Sequence, residues 1–118
     1  MKISSLQENL KQGISIASHI AGKNINLPIL NNILITAKEG NIKLTATNLE
    51  IGIITSIRGK VEKEGMFTVD AKIFSDYISL LPNEKVNIEQ KENKLLVELK
   101  KNKTKITGLP AEEFPLIP

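Results

Sequence analysis

The chain has 118 residues, of which 41% are hydrophobic and only 3% aromatic, and it contains no cysteine. This length predicts one compact domain, and the lack of cysteine excludes disulfides, thiolate metal ligands and a cysteine nucleophile. A single histidine leaves most catalytic and metal-ligand constellations incomplete. A formal net charge of +3 is too small for a histone-like basic coat. The composition therefore argues against an enzyme.

The beginning of the chain predicts a short strand, Met1–Ser5, followed by a helix. Ser5 and Glu8 have the spacing of a capping box, which predicts Ser5 as the helix N-cap. Gly22 is expected to end the helix, although Gly13 inside it lowers the helix propensity by about 1 kcal/mol relative to alanine. The apolar stripe at helical spacing consists of Leu6, Leu10, Ile14 and Ala17, widened by Ile16 and Ile20.

Alternating apolar residues then predict three strands joined by two turns. The strands are expected at 33–37, 42–46 and 51–57, with turns at Lys38–Asn41 and Thr47–Glu50. Residues 58–65 are rich in charge and are predicted to form a loop.

The pattern restarts at Met66, with a strand over 66–69 and a second helix that Asp70 caps and Pro82 ends. Further strands are expected at 86–88, 95–99 and 103–107, with a turn at 91–94. Each half thus reads β-α-β-β-β. A duplicated unit of this kind predicts an α+β fold with two helices on one face of an antiparallel sheet.

The helix faces turned away from the sheet are predicted to be polar and weakly positive, because most acidic residues lie in turns and strands and Glu8 is assigned to the capping box. Such a face suits the phosphate backbone of a duplex held without sequence preference. An ordinary solvated helix face has the same character, and charge alone favours that simpler interpretation. The residues expected on this face are Gln7, Lys11, Gln12, Ser15, Ser18, His19, Lys72, Ser75, Asp76 and Ser79.

Lys101, Lys103 and Lys105 alternate along the final strand and are all expected to project from one of its faces. Lysines protect exposed sheet edges, and they also form basic seams that orient an acidic partner. Ile106 is expected to add an apolar contact to such a seam. The residues themselves leave both interpretations open.

Other candidate sites are weak. His19 lacks a second ligand at suitable spacing, and Glu112 and Glu113 are adjacent loop charges. The glycines form no phosphate-binding loop, and no aromatic residues interleave with the basic ones to stack on single-stranded bases. With no apolar leader and no apolar run near the roughly 20 residues of a membrane span, a soluble intracellular protein is expected.

Three segments resemble motifs of the bacterial DNA polymerase III β subunit, the replication sliding clamp. They are Leu27–Leu30 with Asn32, Thr47–Glu50, and Leu109–Pro115. The resemblance covers residues 1–118 and implies the DNA-clamp fold, as the first domain of a three-domain subunit whose second and third domains are absent here. Asn48 replaces the more usual aspartate of the second motif, which we interpret as a turn variation.

The resemblance implies a non-catalytic processivity factor without a cofactor, located in the cytoplasm at replication forks on the nucleoid. Two subunits of such a clamp join head to tail in a ring whose helices surround duplex DNA weakly and non-specifically, and the ring tethers the replicative polymerase. The polymerase and the clamp loader are expected to bind the missing domains. The alternative is a small intracellular protein-interaction module that uses its lysine-rich edge strand.

The resemblance also implies two sets of site residues. For DNA binding these are Lys23, which stands where the family commonly has arginine, Lys72, and by helix register Lys11 and Gln12. For the interface with the third domain of a second subunit they are Lys101, Lys103, Thr104 and Ile106. Lys101 and Lys103 are expected to face acidic residues, and Thr104 stands where an apolar residue is often found.

Overall fold

The computed structural model describes residues 1–22 and 26–115, and within these ranges the chain forms two α-helices and nine β-strands. The helices are α1 (Gln7–Ser18) and α2 (Ala71–Leu80). Short 3-10 helices lie at Pro28–Asn31 and Ala111–Glu113. The strands are β1 (Lys2–Leu6), β2 (Asn32–Lys38), β3 (Asn41–Thr47), β4 (Gly52–Ile57), β5 (Lys60–Lys63), β6 (Gly65–Asp70), β7 (Lys85–Lys91), β8 (Lys94–Glu98) and β9 (Lys103–Pro110).

The strands form one antiparallel sheet in the order β4-β3-β2-β6-β9-β8-β7-β1-β5. The opening strand of each half lies in the other half's part of the sheet, since β1 pairs with β7 and β6 pairs with β2. The registers place Ile3 opposite Ile88 and Ile35 opposite Phe67. This reciprocal exchange repeats the same arrangement twice and confirms the predicted duplication.

The core lies between the sheet and the two helices, which cover one face of the sheet and pack against each other. Leu10 and Ile14 of α1 and Phe74 and Ile78 of α2 are each at most 1% exposed, as their helical spacing predicts. Burying each such side chain stabilises the fold by roughly 1.5–3 kcal/mol. The apolar stripe of α1 is narrower than expected because Ile16 remains 42% exposed.

Gly13 marks the place where α1 lies closest to the sheet. A Cβ atom at this position would lie 2.8 Å from Cγ1 and 3.0 Å from Cδ1 of Ile57 in β4. The glycine lowers the helix propensity of α1, but it allows the helix to lie close to β4.

The two predicted hairpin turns are present. Lys38 pairs with Asn41 and Lys91 pairs with Lys94, so each turn has two central residues. Glu39 and Gly40 both have positive φ, at 50° and 78°, as the right-handed twist of the flanking strands demands of a two-residue turn. Glu92 has φ 56° at the first central position of the second turn.

The predicted capping box at Ser5 and Glu8 is wrong. Ser5 is a buried residue of β1, and its hydroxyl donates to the carbonyl oxygen of Arg58. The α1 helix begins at Gln7 after Leu6, which makes no side-chain cap. The prediction fails because β1 runs directly into α1. The first N–H groups of the helix donate to Asn83 and Glu84, which are distant in sequence. The cap predicted for α2 is confirmed, since Asp70 Oδ1 accepts from the Ile73 N–H at 2.9 Å.

The charged segment 58–65 is not a simple loop as predicted. It contains β5, whose Val61 pairs with Ile3 of β1 and is half-buried. Glu62 in this strand lies 3.6 Å from the ammonium group of Lys2. Short, charged strands are typical at the edge of a sheet, where they discourage pairing with other chains.

Candidate nucleic-acid interface

The α1 and α2 helices lie side by side and run in opposite directions. Gln7 at the start of α1 contacts Ile78 near the end of α2, while Ser18 and Ala71, at the opposite ends, line one cleft. Both helices begin where a strand of the sheet ends, so the sheet fixes where they start. The pair therefore presents one continuous helical surface, which we call the helical face.

Most of the side chains that this helical face exposes are polar, although Ile16, Ile73 and Leu80 are also exposed. The structure places seven of the ten predicted residues on it as exposed: Lys11, Gln12, Ser15, His19, Lys72, Asp76 and Ser79. Ser18 and Ser75 are half-buried, and the Ser18 hydroxyl donates to the carbonyl oxygen of Ile14 at 2.6 Å. The ring Nδ1 of His19 lies 2.6 Å from the carbonyl oxygen of Ser15, so this histidine packs against its own helix end.

Gln7 is the exception among the ten, because it is only 6% exposed and belongs to the interior. Its side-chain amide donates to the carbonyl oxygen of Ile78 at 2.8 Å. A polar residue in the first turn of an amphipathic helix is normally assigned to solvent, and the partner lies 71 positions away in the sequence. No local pattern could have identified this contact.

The prediction of a weakly positive helical face is wrong for the two helices themselves. They contain two lysines, Lys11 and Lys72, and two carboxylates, Glu8 and Asp76, so two positive minus two negative charges gives zero. With no capping box, Glu8 is an exposed carboxylate. The Lys72 ammonium lies 3.2 Å from Asp76 Oδ2, with both side chains largely exposed. This pair offsets the cation that α2 offers to an anion.

A cleft of about 730 Å³ opens between the end of α1 and the start of α2. Ser18 and Gly22 line one side of it, and Lys72, Ile73 and Asp76 line the other. Lys23, the position at which the resemblance places a DNA contact, lies outside the described residues. Of the four predicted DNA-binding residues, the structure thus places Lys11, Gln12 and Lys72 on the helical face.

The predicted lysine seam is only partly a strand feature. Lys101 precedes β9, whereas Lys103 and Lys105 lie on it and are exposed. The β9 strand is not an outer edge of the sheet, because it pairs with β8 over Lys103–Thr107 and with β6 over Gly108–Pro110. Across its first part, Lys103 stands opposite Glu98. Within the described part of the chain, Lys103–Thr107 has a strand partner on one side only.

Two residues predicted for the same interface are less accessible than the lysines. Thr104 is half-buried, and Ile106 is 5% exposed and forms part of the main core. The expected apolar contact of Ile106 with a partner is therefore replaced by packing within the domain. The alternation of side chains along β9 explains this, since Ile106 points to the face opposite Lys103 and Lys105.

The described ranges 1–22 and 26–115 contain no group of three or more histidine, aspartate or glutamate residues arranged to hold a metal ion. None of the helices there has the length and apolar character to cross a membrane.

Known proteins are similar to this chain in both sequence and fold. The family description "DNA polymerase III beta subunit, N-terminal domain" matches residues 1–118. The beta sliding clamp of Synechococcus elongatus is 33% identical, over 100% of this chain and 32% of its own length.

Solved structures agree with this match. The crystal structure assigned to a DNA polymerase III beta subunit from Eubacterium rectale is 37% identical with a TM-score of 0.95, covering 100% of this chain and 33% of that one. The beta subunit from Thermotoga maritima is 30% identical with a TM-score of 0.92, and the match covers 99% of this chain and 32% of that one. This chain spans about a third of the length of these relatives. It belongs to the family of the DNA polymerase III beta subunit N-terminal domain.

Proposed function

We propose that this chain is a domain of a DNA replication sliding clamp, the first of three in its subunit, and that it acts as a processivity factor without catalysis. The observation that carries the proposal is the helical face: two adjacent helices whose charges sum to zero and whose exposed side chains are mostly polar. The names of its relatives, beta sliding clamp and DNA polymerase III beta subunit, support the proposal. A clamp of this kind works in the cytoplasm at replication forks.

The chemistry of the helical face fits enclosure of DNA better than capture of DNA. A protein that neutralises several phosphates releases counterions and binds tightly at low salt. A ring that surrounds the duplex has no need of such contacts, and tight contacts would slow its sliding. Lys11 and Lys72 supply two point charges for passing phosphates, Gln12 supplies an amide, and Asp76 weakens the grip of Lys72.

Lys23 completes the proposed set of DNA-binding residues. A lysine ammonium contacts phosphate as a point charge, whereas an arginine at the same position offers a planar, bidentate donor. In this proposal Lys23 therefore makes a weaker and less directional contact than arginine would.

The first part of β9 is the proposed docking site for the third domain of a second subunit. Lys103–Thr107 offers backbone groups on the side away from β8, and Lys101 and Lys103 are exposed for acidic partners. Strand addition at such an edge gives affinity through main-chain hydrogen bonds, and the lysines give orientation. Thr104 contributes a half-buried side chain, and Ile106 supports the strand from within the core. The polymerase and the clamp loader bind other parts of the subunit.

The alternative, a protein-interaction module built on a lysine-rich edge strand, is not favoured. The free edge at Lys103–Thr107 is compatible with both functions, so it does not favour the module. The family to which the chain belongs supports a clamp over an unrelated module.

Topological retention on DNA tests the proposal. Residues 1–115 would replace the corresponding domain of the Synechococcus elongatus clamp, and the chimera would be loaded onto nicked circular duplex. We expect the chimera to stay on the circles through a high-salt wash and to leave when they are cut to linear form. A chimera that folds and dimerises but washes off circles and linear DNA alike would contradict the proposal.

A further inference from the structure

Three hydrogen bonds join the start of α1 to α2 and to the segment that follows α2. The Gln7 side-chain amide donates to the carbonyl oxygen of Ile78 at 2.8 Å. The Gln7 backbone N–H donates to the carbonyl oxygen of Glu84 at 2.9 Å, and the Glu8 N–H donates to Asn83 Oδ1 at 3.3 Å. Each bond links the first half of the chain to the second.

Two of these bonds satisfy N–H groups that the first turn of a helix leaves without intrahelical acceptors. The acceptors, the Glu84 carbonyl oxygen and Asn83 Oδ1, lie in the segment after α2, which thus caps the start of α1 in place of the local capping box. The Ile78 carbonyl accepts from the Leu81 N–H as well as from Gln7, so the bond from Gln7 adds a direct link between the two helices. The positive end of one helix dipole also lies beside the negative end of the other, which favours the contact.

The Gln7 amide is the buried part of this contact. Gln7 is 6% exposed, and its bond to Ile78 is buried, whereas the bond between Glu8 and Asn83 is exposed. A buried bond with one donor and one acceptor has a narrow range of geometries. The opposite ends of the two helices flank the cleft lined by Ser18 and Lys72.

We propose that Gln7 is a positioning residue that sets the spacing between α1 and α2, and thereby the relative placement of Lys11 and Lys72. The functional consequence for DNA rests on the proposed clamp function, whereas the effect on helix spacing does not. In a clamp, this spacing sets where the two lysines meet the duplex.

A distance measurement between the helices tests this inference. The chain has no native cysteine, so Lys11→Cys and Ser79→Cys place one nitroxide label on each helix without background. Double electron–electron resonance then gives the distribution of distances. We expect Gln7→Ala to shift or widen this distribution by about 1–2 Å, the size of the helix displacements that packed interfaces permit.

Further variants provide a control and a comparison for this measurement. Gln90→Ala is the matched control, since the Gln90 amide also donates to a backbone carbonyl, that of Glu92, but within one hairpin away from the helices. It should leave the distribution unchanged. Asn83→Ala removes the exposed bond and should produce a smaller shift than Gln7→Ala. Gln7→Met keeps the length of the side chain but cannot donate to the Ile78 carbonyl, and it replaces Gln7→Ala if that variant fails to fold.

An unchanged distribution in folded Gln7→Ala overturns the inference, even if the melting temperature falls, because Gln7 would then act only on stability. If that variant does not fold, an unchanged distribution in Gln7→Met overturns it. No nucleic acid enters the experiment, so its outcome is independent of whether the chain binds DNA.

Discussion

The side-chain amide of Asn32 donates to the hydroxyl of Thr68 at 3.1 Å, in a site where Thr68 is fully buried. The same hydroxyl donates to the carbonyl oxygen of Leu109 at 2.9 Å. One threonine thus connects the first of the family's motifs, at the start of β2, with the last, at the end of β9. Two segments far apart in the sequence are thereby held together in the fold.

Replacing Thr68 with valine should destabilise the domain by about 1–3 kcal/mol, because it leaves the Asn32 amide and the Leu109 carbonyl without this partner while keeping the side-chain shape. The free energy of unfolding from urea denaturation measures the effect. Thr107→Val is the control, since Thr107 is exposed on β9 and accepts only an exposed bond from Lys94. A similar loss of unfolding free energy in both variants would contradict a specific stabilising role of the buried network.

Removing the cap of α2 should cost less than breaking this network. Asp70→Ala takes away the acceptor for the Ile73 N–H and should lower the free energy of unfolding by about 0.5–2 kcal/mol. Thermal or urea denaturation followed by circular dichroism measures the change. Asp76→Ala removes a carboxylate from the same helix that only pairs with exposed Lys72, and it should change stability by a few tenths of a kcal/mol. Equal losses would contradict the assignment of Asp70 as the cap.

Gly13→Ala should destabilise the chain even though alanine favours helix, because the new Cβ would lie 2.8 Å from Ile57 Cγ1. In a chain that already carries Ile57→Ala, the same substitution should stabilise by up to about 1 kcal/mol, the difference in helix propensity. A double-mutant cycle of unfolding free energies measures the coupling. Independent, additive effects would show that the glycine is not there for close packing.

Asp76→Asn should tighten binding of a short duplex at low salt, because it releases Lys72 from its 3.2 Å ion pair. With one more phosphate neutralised, the plot of log affinity against log salt should steepen by about 0.9. Fluorescence anisotropy over a salt series measures both quantities.

Glu112→Gln is the matched control for this prediction. It removes one negative charge from an exposed residue outside α1 and α2. It should change the affinity much less than Asp76→Asn. The same gain from both variants would mean that net charge, and not local competition for Lys72, controls binding.

Much of this fold follows from local patterns. The alternation at Ile33, Ile35 and Ala37 and the cap at Asp70 each depend on residues close in sequence, and each was predictable. The start of α1 was not, because its partners Asn83 and Glu84 come from the other half of the chain. Strand β5 was also missed, since an edge strand need bury only Val61 and otherwise reads as a charged loop.

In the candidate site, too, some features follow from local sequence patterns and others depend on distant contacts. The exposure of Lys11, Gln12 and Lys72 follows from helical periodicity alone. The neutrality of the helical face depended on Glu8, whose assignment to a local cap was wrong. The burial of Ile106 depends on how β9 packs in the whole sheet, which a local pattern does not show.

The reciprocal placement of β1 and β6 also affects how the chain reaches its native state. A piece ending near Gly59 has β1 without β7 to pair with and β2 without β6, so neither half offers a complete sheet by itself. These pairings join residues more than 30 positions apart, such as Ile35 with Phe67 and Ile3 with Ile88, and distant pairing of this kind slows folding. The duplication therefore produced two halves that are alike in architecture yet obligatory partners, which should acquire structure together or not at all.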